Sequence, residues 1–411
     1  MGAATAPSGP APASDRTGPG RAHWLRVGRE TADDLATDAV AREQAGKAPF
    51  DEVARLREAG LLTLLVPAEL GGGGADWPTA YAVVREVAAA DGAIGQLLSC
   101  HYFLSSSARF FGEPALAAQV ERRSAAEQWC WGGGFACQEL PLTLARKAGG
   151  YVLDGRQSYA TGALVADHLA VRAELADTGE PLAVVVRPTR NGVRVDGDAD
   201  TFGQRLAAGG SVEFDAVPVA AHDILGSLAA DEDVPSPLAA LASPVGRLLS
   251  VQLLLGVAEG VLAEAREYSR VCHSPWHSSW PDGPPQDPQV LTVYGELTVL
   301  VRSASALADQ AREAVHGGLT RGEGLTYDEC ADISILVAMA EAAASRAAQE
   351  CTSRALDIIG FRSTSSRLGF DRFWRNARTL ALYEPVAPRL RDVGDYFLNG
   401  AHPPFVLPAR S

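Results

Sequence analysis

Positive charge in a block is missing from this sequence. Its 411 residues carry 36 Lys and Arg against 50 Asp and Glu, a formal net charge of −14. No basic run offers a phosphate-backbone footprint, which argues against a nucleic-acid partner. Cysteine is scarce: Cys100, Cys130, Cys137, Cys272, Cys330 and Cys351 show no C-x-x-C spacing and lie scattered in apolar segments, as reduced thiols do. A secretory signal is absent, since the first twenty residues are mostly Gly, Ala, Pro, Ser and Thr and read as a disordered leader. The start also lacks the Ser or Thr that a myristoylation signal needs. The longest apolar run, near Leu248–Ala258, ends at Arg247 and Glu259 and is too short to span a bilayer. These absences predict a soluble, cytoplasmic chain.

Nucleotide and hydrolase signatures are missing too. Leu70-Gly-Gly-Gly-Gly-Ala-Asp-Trp77 is a glycine loop, but no Gly-Lys-Ser/Thr follows and no strand precedes it. No Ser–His–Asp arrangement is readable from spacing. His273 and His277 stand four apart as helical metal ligands would, yet Pro275 lies between them and no third ligand cluster is apparent; no metal is expected.

What is present is apolar mass. Hydrophobic residues make up 47% of the chain, enough for a large core and two or three domains. From about 29 to 128 the pattern is helical: Val53, Leu56, Leu61 and Leu62 follow helical spacing before Pro67, and a long Ala/Val-rich helix spans Thr79–Leu98. From 129 to 228 the period becomes two. Asp154-Gly155 is a hairpin signal, and His168–Arg172 and Leu182–Arg187 read as strands joined by a turn around Thr178-Gly179. After a Pro/Asp-rich linker, Asp231–Pro237, helices return over 238–400: Leu248–Arg270, Tyr294–Val315, Tyr327–Leu356 and the stretch that follows, a four-helix set. Residues 1–28 form the leader and 401–411 a tail. The fold class is therefore α+β: helices, a small β-barrel or sandwich, then a four-helix bundle, with no internal repeat.

The stretch Arg354–Glu384 concentrates the candidate chemistry. Apolar Leu356, Ile358 and Ile359 lead to Gly360, then to a hydroxyl-rich turn, then to an arginine-rich helix that closes on Tyr383 and Glu384. Arginines beside a loop of hydroxyls can hold an anion such as phosphate. A carboxylate in apolar company can have a raised pKa, which suits a base. A solvated helix with a surface Glu is the plainer alternative.

Several motifs carry a family resemblance. Gly150-Tyr-Val-Leu-Asp-Gly-Arg-Gln-Ser-Tyr-Ala-Thr-Gly162 with Ala166-Asp167, and Val212-Glu-Phe-Asp-Ala-Val-Pro-Val219 with Asp223-Ile-Leu-Gly226, resemble the β-domain signature of the acyl-CoA dehydrogenase superfamily. Val66-Pro-Ala-Glu-Leu-Gly-Gly73 resembles its early helix-to-loop turn, and Asp357–Glu384 its flavin-contacting segment. The likeness covers about 30 to 400. The departures point to a branch. Asp357, Phe361 and Ser363 stand where the dehydrogenases have a Gln and two glycines, and side chains there favour FMN over FAD. Ser269-Arg-Val-Cys-His-Ser-Pro-Trp276, Tyr294-Gly-Glu-Leu297 and Phe202-Gly-Gln-Arg-Leu-Ala-Ala-Gly-Gly210 are similar to the flavin-dependent monooxygenase branch, which includes dibenzothiophene monooxygenases and natural-product N-, C- and S-oxygenases.

The resemblance implies a homotetramer or homodimer. It implies reduced flavin (FMNH2 favoured, FADH2 possible) delivered by a separate NAD(P)H:flavin reductase, with O2 as co-substrate and a C4a-hydroperoxyflavin that oxygenates a small amine, thioether or aromatic compound in specialised metabolism. His101 falls at the branch's active-site histidine and would protonate the peroxide; a satisfied core histidine is the alternative. Thr161 falls where a hydroxyl meets flavin N5. Tyr383 and Glu384 would bind or deprotonate substrate. Trp131, Phe135 and Gln138 would line the flavin, and Arg270, Gly360, Ser363 and Ser365 would serve its phosphate, in part for a neighbouring subunit. Two other readings stay open: an FAD-dependent dehydrogenase or nitroalkane-type oxidase with Glu384 as base, and a non-catalytic flavin-fold binding protein.

Overall fold

A computed structural model describes residues 18–135, 140–229, 236–271 and 286–403. Gln138, His273 and His277, and most of the tail, lie outside the described residues.

The first helical block begins earlier than the sequence reading: α1, Arg21–Ala36, takes up the last residues assigned to the leader and buries Trp24, Ala32 and Leu35. α2 (Ala39–Ala45) and α3 (Phe50–Glu58) follow. The long helix expected over Thr79–Leu98 is two helices, α4 (Trp77–Ala90) and α5 (Gly92–Ser105). Asp91 makes the break. Its backbone is extended, and its carboxylate accepts from the Ala93 and Ile94 amides at 3.0 and 3.2 Å, capping α5. Buried Arg42 meets the same carboxylate at 2.9 Å, so capping and charge pairing are met together. α6 (Ser107–Phe111) and α7 (Pro114–Glu127) complete the block.

Eight strands form one sheet: β1 Trp131–Gly134, β2 Leu142–Lys147, β3 Gly150–Ala160, β4 His168–Leu175, β5 Pro181–Val186, β6 Val193–Asp196, β7 Gly210–Val219 and β8 Ile224–Ser227. Their order is β6-β7-β3-β2-β4-β5-β8, with β1 parallel to β4. Asp154-Gly155 is not the expected hairpin turn. β3 continues through it as a bulge; the Asp154 carboxylate accepts from the Ala216 amide on β7 at 2.7 Å, and Gly155 takes φ +128°. The hairpin instead turns at Ala148-Gly149, between β2 and β3.

The last block is α8 (Pro237–Val271), α9 (Pro288–Arg321), α10 (Tyr327–Ile359), α11 (Asp371–Tyr383) and α12 (Ala387–Asn399). α8 is the axis of the core and packs on α4, α9 and α10. Gly256 and Gly260 permit its approach to α4: a Cβ there would sit 2.4 Å from the Arg85 carbonyl oxygen and 2.1 Å from that of Ala89. α8 and the Pro288–Gly324 segment are each long and apolar enough to cross a membrane by composition, more than the sequence reading allowed. In α8 67% of the most apolar window is buried inside the protein, as in a core helix; in the other segment 28% is.

Candidate active site

Thr161 is the residue around which the site is built. Two bonds and a left-handed glycine fix its backbone: Gly133 donates to the Thr161 carbonyl at 2.8 Å, Gly162 donates to the Ala207 carbonyl at 2.9 Å, and Gly162 holds φ +76°. The hydroxyl borders a cavity of about 390 Å³ between the β domain and the helices, and no described residue hydrogen-bonds it. Gln96 of α5, Phe202 and Gln204 of the loop before β7, and Thr379 and Tyr383 of α11 share the wall.

The loop is locked onto α11. The Arg375 guanidinium donates to the Phe202 carbonyl at 2.8 Å, and the Gln204 amide donates to Asn376 Oδ1 at 2.7 Å. Gly203 touches the helix backbone directly; a Cβ would come 2.1 Å from the Arg375 carbonyl oxygen. Phe202 then stacks on Trp374, ring centroids 6.0 Å apart. Tyr159, on the cavity's lip, holds φ +55° where the β3–β7 register slips, a strained conformation for a bulky side chain.

Three polar atoms on this wall lack partners among the described residues: Gln96 Oε1, Gln204 Oε1 and Thr379 Oγ1. Buried polar groups are normally hydrogen-bonded, so unpaired ones facing a cavity ask for a ligand that supplies the bonds. The edge of an isoalloxazine ring, with N–H and C=O groups in sequence, fits that demand, and the Thr161 hydroxyl can serve N5 in either protonation state. The residues present therefore fit a flavin.

His101 is placed elsewhere. It is fully buried; Nε2 donates to the Leu62 carbonyl at 2.8 Å and Nδ1 accepts from the Trp131 amide at 3.1 Å. Burial pushes its pKa down to about 4, so the ring is neutral with both nitrogens engaged. It cannot protonate a bound oxygen species, which corrects that expectation. On α5, Gln96 and Cys100 are one turn apart and face the site, with Cys100 Sγ 3.9 Å from the Thr161 carbonyl oxygen; His101, one residue on, turns about 100° away.

Two further expectations are corrected. Trp131 is core: its Nε1 donates to Ser124 Oγ at 3.0 Å and its ring packs beside the stacked Trp129–His168 pair, 5.9 and 5.7 Å from them. Phe135 packs edge-on against Phe103 and Phe111. Neither lines the cavity. Arg270 is exposed at the end of α8 beside Glu267; Gly360 ends α10 at φ +73°; Ser363 is buried and Ser365 half-buried. None of these four reaches the cavity. Phe361 does not fill space near it but projects outward, 82% exposed. Gln96, Gln204, Thr379 and Tyr159 were not singled out in the sequence. For Gln204 a signal existed, the quoted Phe202–Gly210 motif.

Tyr383 and Glu384 diverge. Burial, and after it the Glu384 charge, push the Tyr383 phenol up to about 12, so it stays protonated at the cavity. Glu384 turns toward α8 and α10. Burial first, then the Glu341 charge, raise it to about 7, against a hydrogen bond from the Ser250 hydroxyl and the charges of Arg247 and Arg389. Its accessible surface is that of an exposed residue, which limits the effect of burial.

Two family models match: acyl-CoA dehydrogenase N-terminal domain over 26–127 and acyl-CoA dehydrogenase C-terminal domain over 240–384. The chain belongs to the acyl-CoA dehydrogenase family. Within it, the relatives at 30% identity or more over most of the chain include flavin-dependent monooxygenases. Dibenzothiophene monooxygenase of Rhodococcus erythropolis is 35% identical over 392 residues, 92% of this chain and 94% of the relative. The probable FMNH2-dependent monooxygenase SfnC of Pseudomonas putida is 32% identical, covering 92% and 95%. The crystal structure of FMN-bound TdsC from Paenibacillus sp. A11-2 superposes with a TM-score of 0.86 at 33% identity, covering 92% of this chain and 98% of that one. This acyl-CoA dehydrogenase family member is thus an oxygenase by kinship, and reduced flavin, with FMN favoured, is its cofactor.

Proposed function

We propose that this protein is the oxygenase of a two-component system. A separate NAD(P)H:flavin reductase supplies reduced FMN, and the product is an oxygenated amine, thioether or aromatic compound of specialised metabolism. The observation that carries the reading is the cavity at Thr161, ringed by unpaired Gln96, Gln204 and Thr379 atoms. Bound reduced flavin supplies two electrons to dioxygen, one oxygen atom going to substrate and the other leaving as water.

The chain's residues do the rest. Thr161 hydrogen-bonds the ring edge at N5. Gln204 and Thr379 fix the ring's polar groups, and Gln96 offers an acceptor beside it. Tyr383 keeps its proton and donates a hydrogen bond to the oxygen under transfer or to substrate. Leu380 and Ala207 supply apolar wall that keeps water from the reacting atoms. The proposal includes a homo-oligomer in which Arg270, Gly360 and Ser365, which lie away from their own chain's cavity, serve a neighbour's phosphate; Ser363 itself is buried. Cytoplasmic placement belongs to the same proposal, since reductase and oxygenase must share reduced flavin.

Stopped-flow mixing tests this. Protein with reduced FMN, made anaerobically and mixed with oxygen, should build a near-ultraviolet absorbing species that outlives free reduced flavin, and Thr161→Val should shorten its life at least tenfold. A purified yellow protein bleached by an acyl-CoA thioester would instead show the dehydrogenase reading, with Glu384 as base.

A further inference from the structure

A second cavity, of about 470 Å³, adjoins the one at Thr161. Asp200, Thr201, Phe202 and Arg205 line both, so the loop before β7 is the wall between them. The far side of the second cavity is α2, through Glu43 and Gln44, and the start of α11, through Asp371, Arg372 and Arg375. Its charges are largely matched within the protein. Arg375 takes Asp371 at 2.9 Å and Glu43 at 2.6 Å, and Arg372 takes Glu264. Arg372 Nε, buried without a partner among the described residues, leaves one donor to spare. A polar lining keeps such a chamber wet, and charges already paired leave little to retain a ligand.

The wall is rigid in its backbone and loose in one side chain. The Phe202 carbonyl accepts from Arg375 at 2.8 Å, the Gly203 carbonyl accepts from the Thr201 hydroxyl at 2.8 Å, and the Gln204 amide donates to Asn376 Oδ1 at 2.7 Å. Gly203 sits against α11 with no room for a Cβ. The Phe202 ring, by contrast, is 47% exposed, and its named partner is Trp374, itself 39% exposed and outside the lining of either cavity. Exposed side chains change rotamer within nanoseconds, and one stacked pair is a weak latch. Swinging the ring off Trp374 joins the two cavities without moving the backbone. We propose that Phe202 is a side-chain gate, latched by Trp374, between the catalytic cavity and a polar antechamber through which small molecules reach and leave the flavin. The inference rests on the oxygenase reading in placing the flavin at Thr161. Closed, the ring screens the cavity on this side; open, it admits a small molecule from the antechamber, as gating elements do. The anchored carbonyls on either side confine the motion to the ring.

Acrylamide quenching of bound FMN fluorescence in the full-length protein tests this, acrylamide being small and uncharged. Trp374→Ala releases the latch from outside both cavities. It should raise the quenching rate constant about threefold while FMN affinity stays within twofold, a split that a packing role would not produce. Phe202→Ala should raise quenching at least as far, and adding Trp374→Ala to it should add nothing, since the latch acts through that ring. Gln44→Trp fills the antechamber from its far side and should slow quenching at least twofold in the Trp374→Ala background. The inference is overturned if Trp374→Ala leaves quenching unchanged, if it moves FMN affinity as much as quenching, if the two gate substitutions add independently, or if Gln44→Trp has no effect. Loss of FMN binding by the wild type would overturn the oxygenase reading itself, a distinguishable result.

Discussion

A single residue step separates function from packing on α5. His101 is anchored at both ring nitrogens, so its removal should act on stability. His101→Ala leaves the Leu62 carbonyl and Trp131 amide unpaired and opens a void, a loss on the order of 3 kcal/mol by denaturant unfolding. Folding depresses this histidine's pKa. The stability it contributes is therefore complete above the unfolded value of 6.5 and is lost as pH falls through about 4, and the variant's stability should fall less steeply over that window. Glu384 works in the other direction. Folding raises it from 4.5 to about 7, so the wild type loses stability as pH rises across that interval. Glu384→Gln should be the more stable protein at pH 8, by on the order of 1 kcal/mol once solvent screening of an accessible group is allowed for. A variant less stable than wild type at pH 8 would contradict the raised acidity constant of Glu384. Why His101 was assigned to the site is clear physically. α5 is buried on nearly every side, through Ile94, Leu97, Leu98, Tyr102 and Leu104. With no polar stripe, periodicity cannot say which polar residue faces the ligand.

Glycines set how close the elements lie. On α8, Gly256 and Gly260 let two backbones touch, and Gly260→Ala must push α8 from α4 against a carbonyl that cannot yield. The expected cost is about 1–3 kcal/mol, seen as a lower melting temperature. Gly203 does the same between the β domain and α11, but beside the cavity. Gly203→Ala should lift the Phe202–Gln204 loop and weaken FMN at least tenfold in fluorescence titration, with a smaller effect on melting than Gly260→Ala. The strand pattern was legible at this scale: β4, β5 and the turn at Thr178-Gly179 stand where alternation put them. Asp154-Gly155 misled because a strong turn dipeptide can also make a bulge when its carboxylate finds an amide on the facing strand, here Ala216.

Across the whole molecule, the order of helices, sheet and helices was readable because the hydrophobic period changes cleanly near 129 and again near 238. The cavity was not, because it is made of residues from α5, the β3 end, the loop before β7 and α11, which no local pattern brings together. The β domain is tied to the first helical block by Arg57, which meets Asp167 at 2.9 Å while Asp167 also accepts from the Cys130 amide at 2.7 Å. Asp167→Ala should cost about 1–3 kcal/mol, and its effect should add to that of Gly203→Ala, since the two ties share no partner.

One helix stands apart from this framework. α12 has no buried residue, and its named links to α10 are few: the exposed Tyr396 hydroxyl to Asp332 at 2.9 Å, and half-buried Arg389 toward buried Glu341 at 3.8 Å. A segment held so lightly opens locally at a small fraction of the free energy of global unfolding, and its amides should exchange with deuterium well before those of α8 and α10. Each opening carries Arg389 away from the Glu341–Glu384 pair. The acidity at the end of α11 is then an average over docked and undocked α12, set by how often a surface helix lets go.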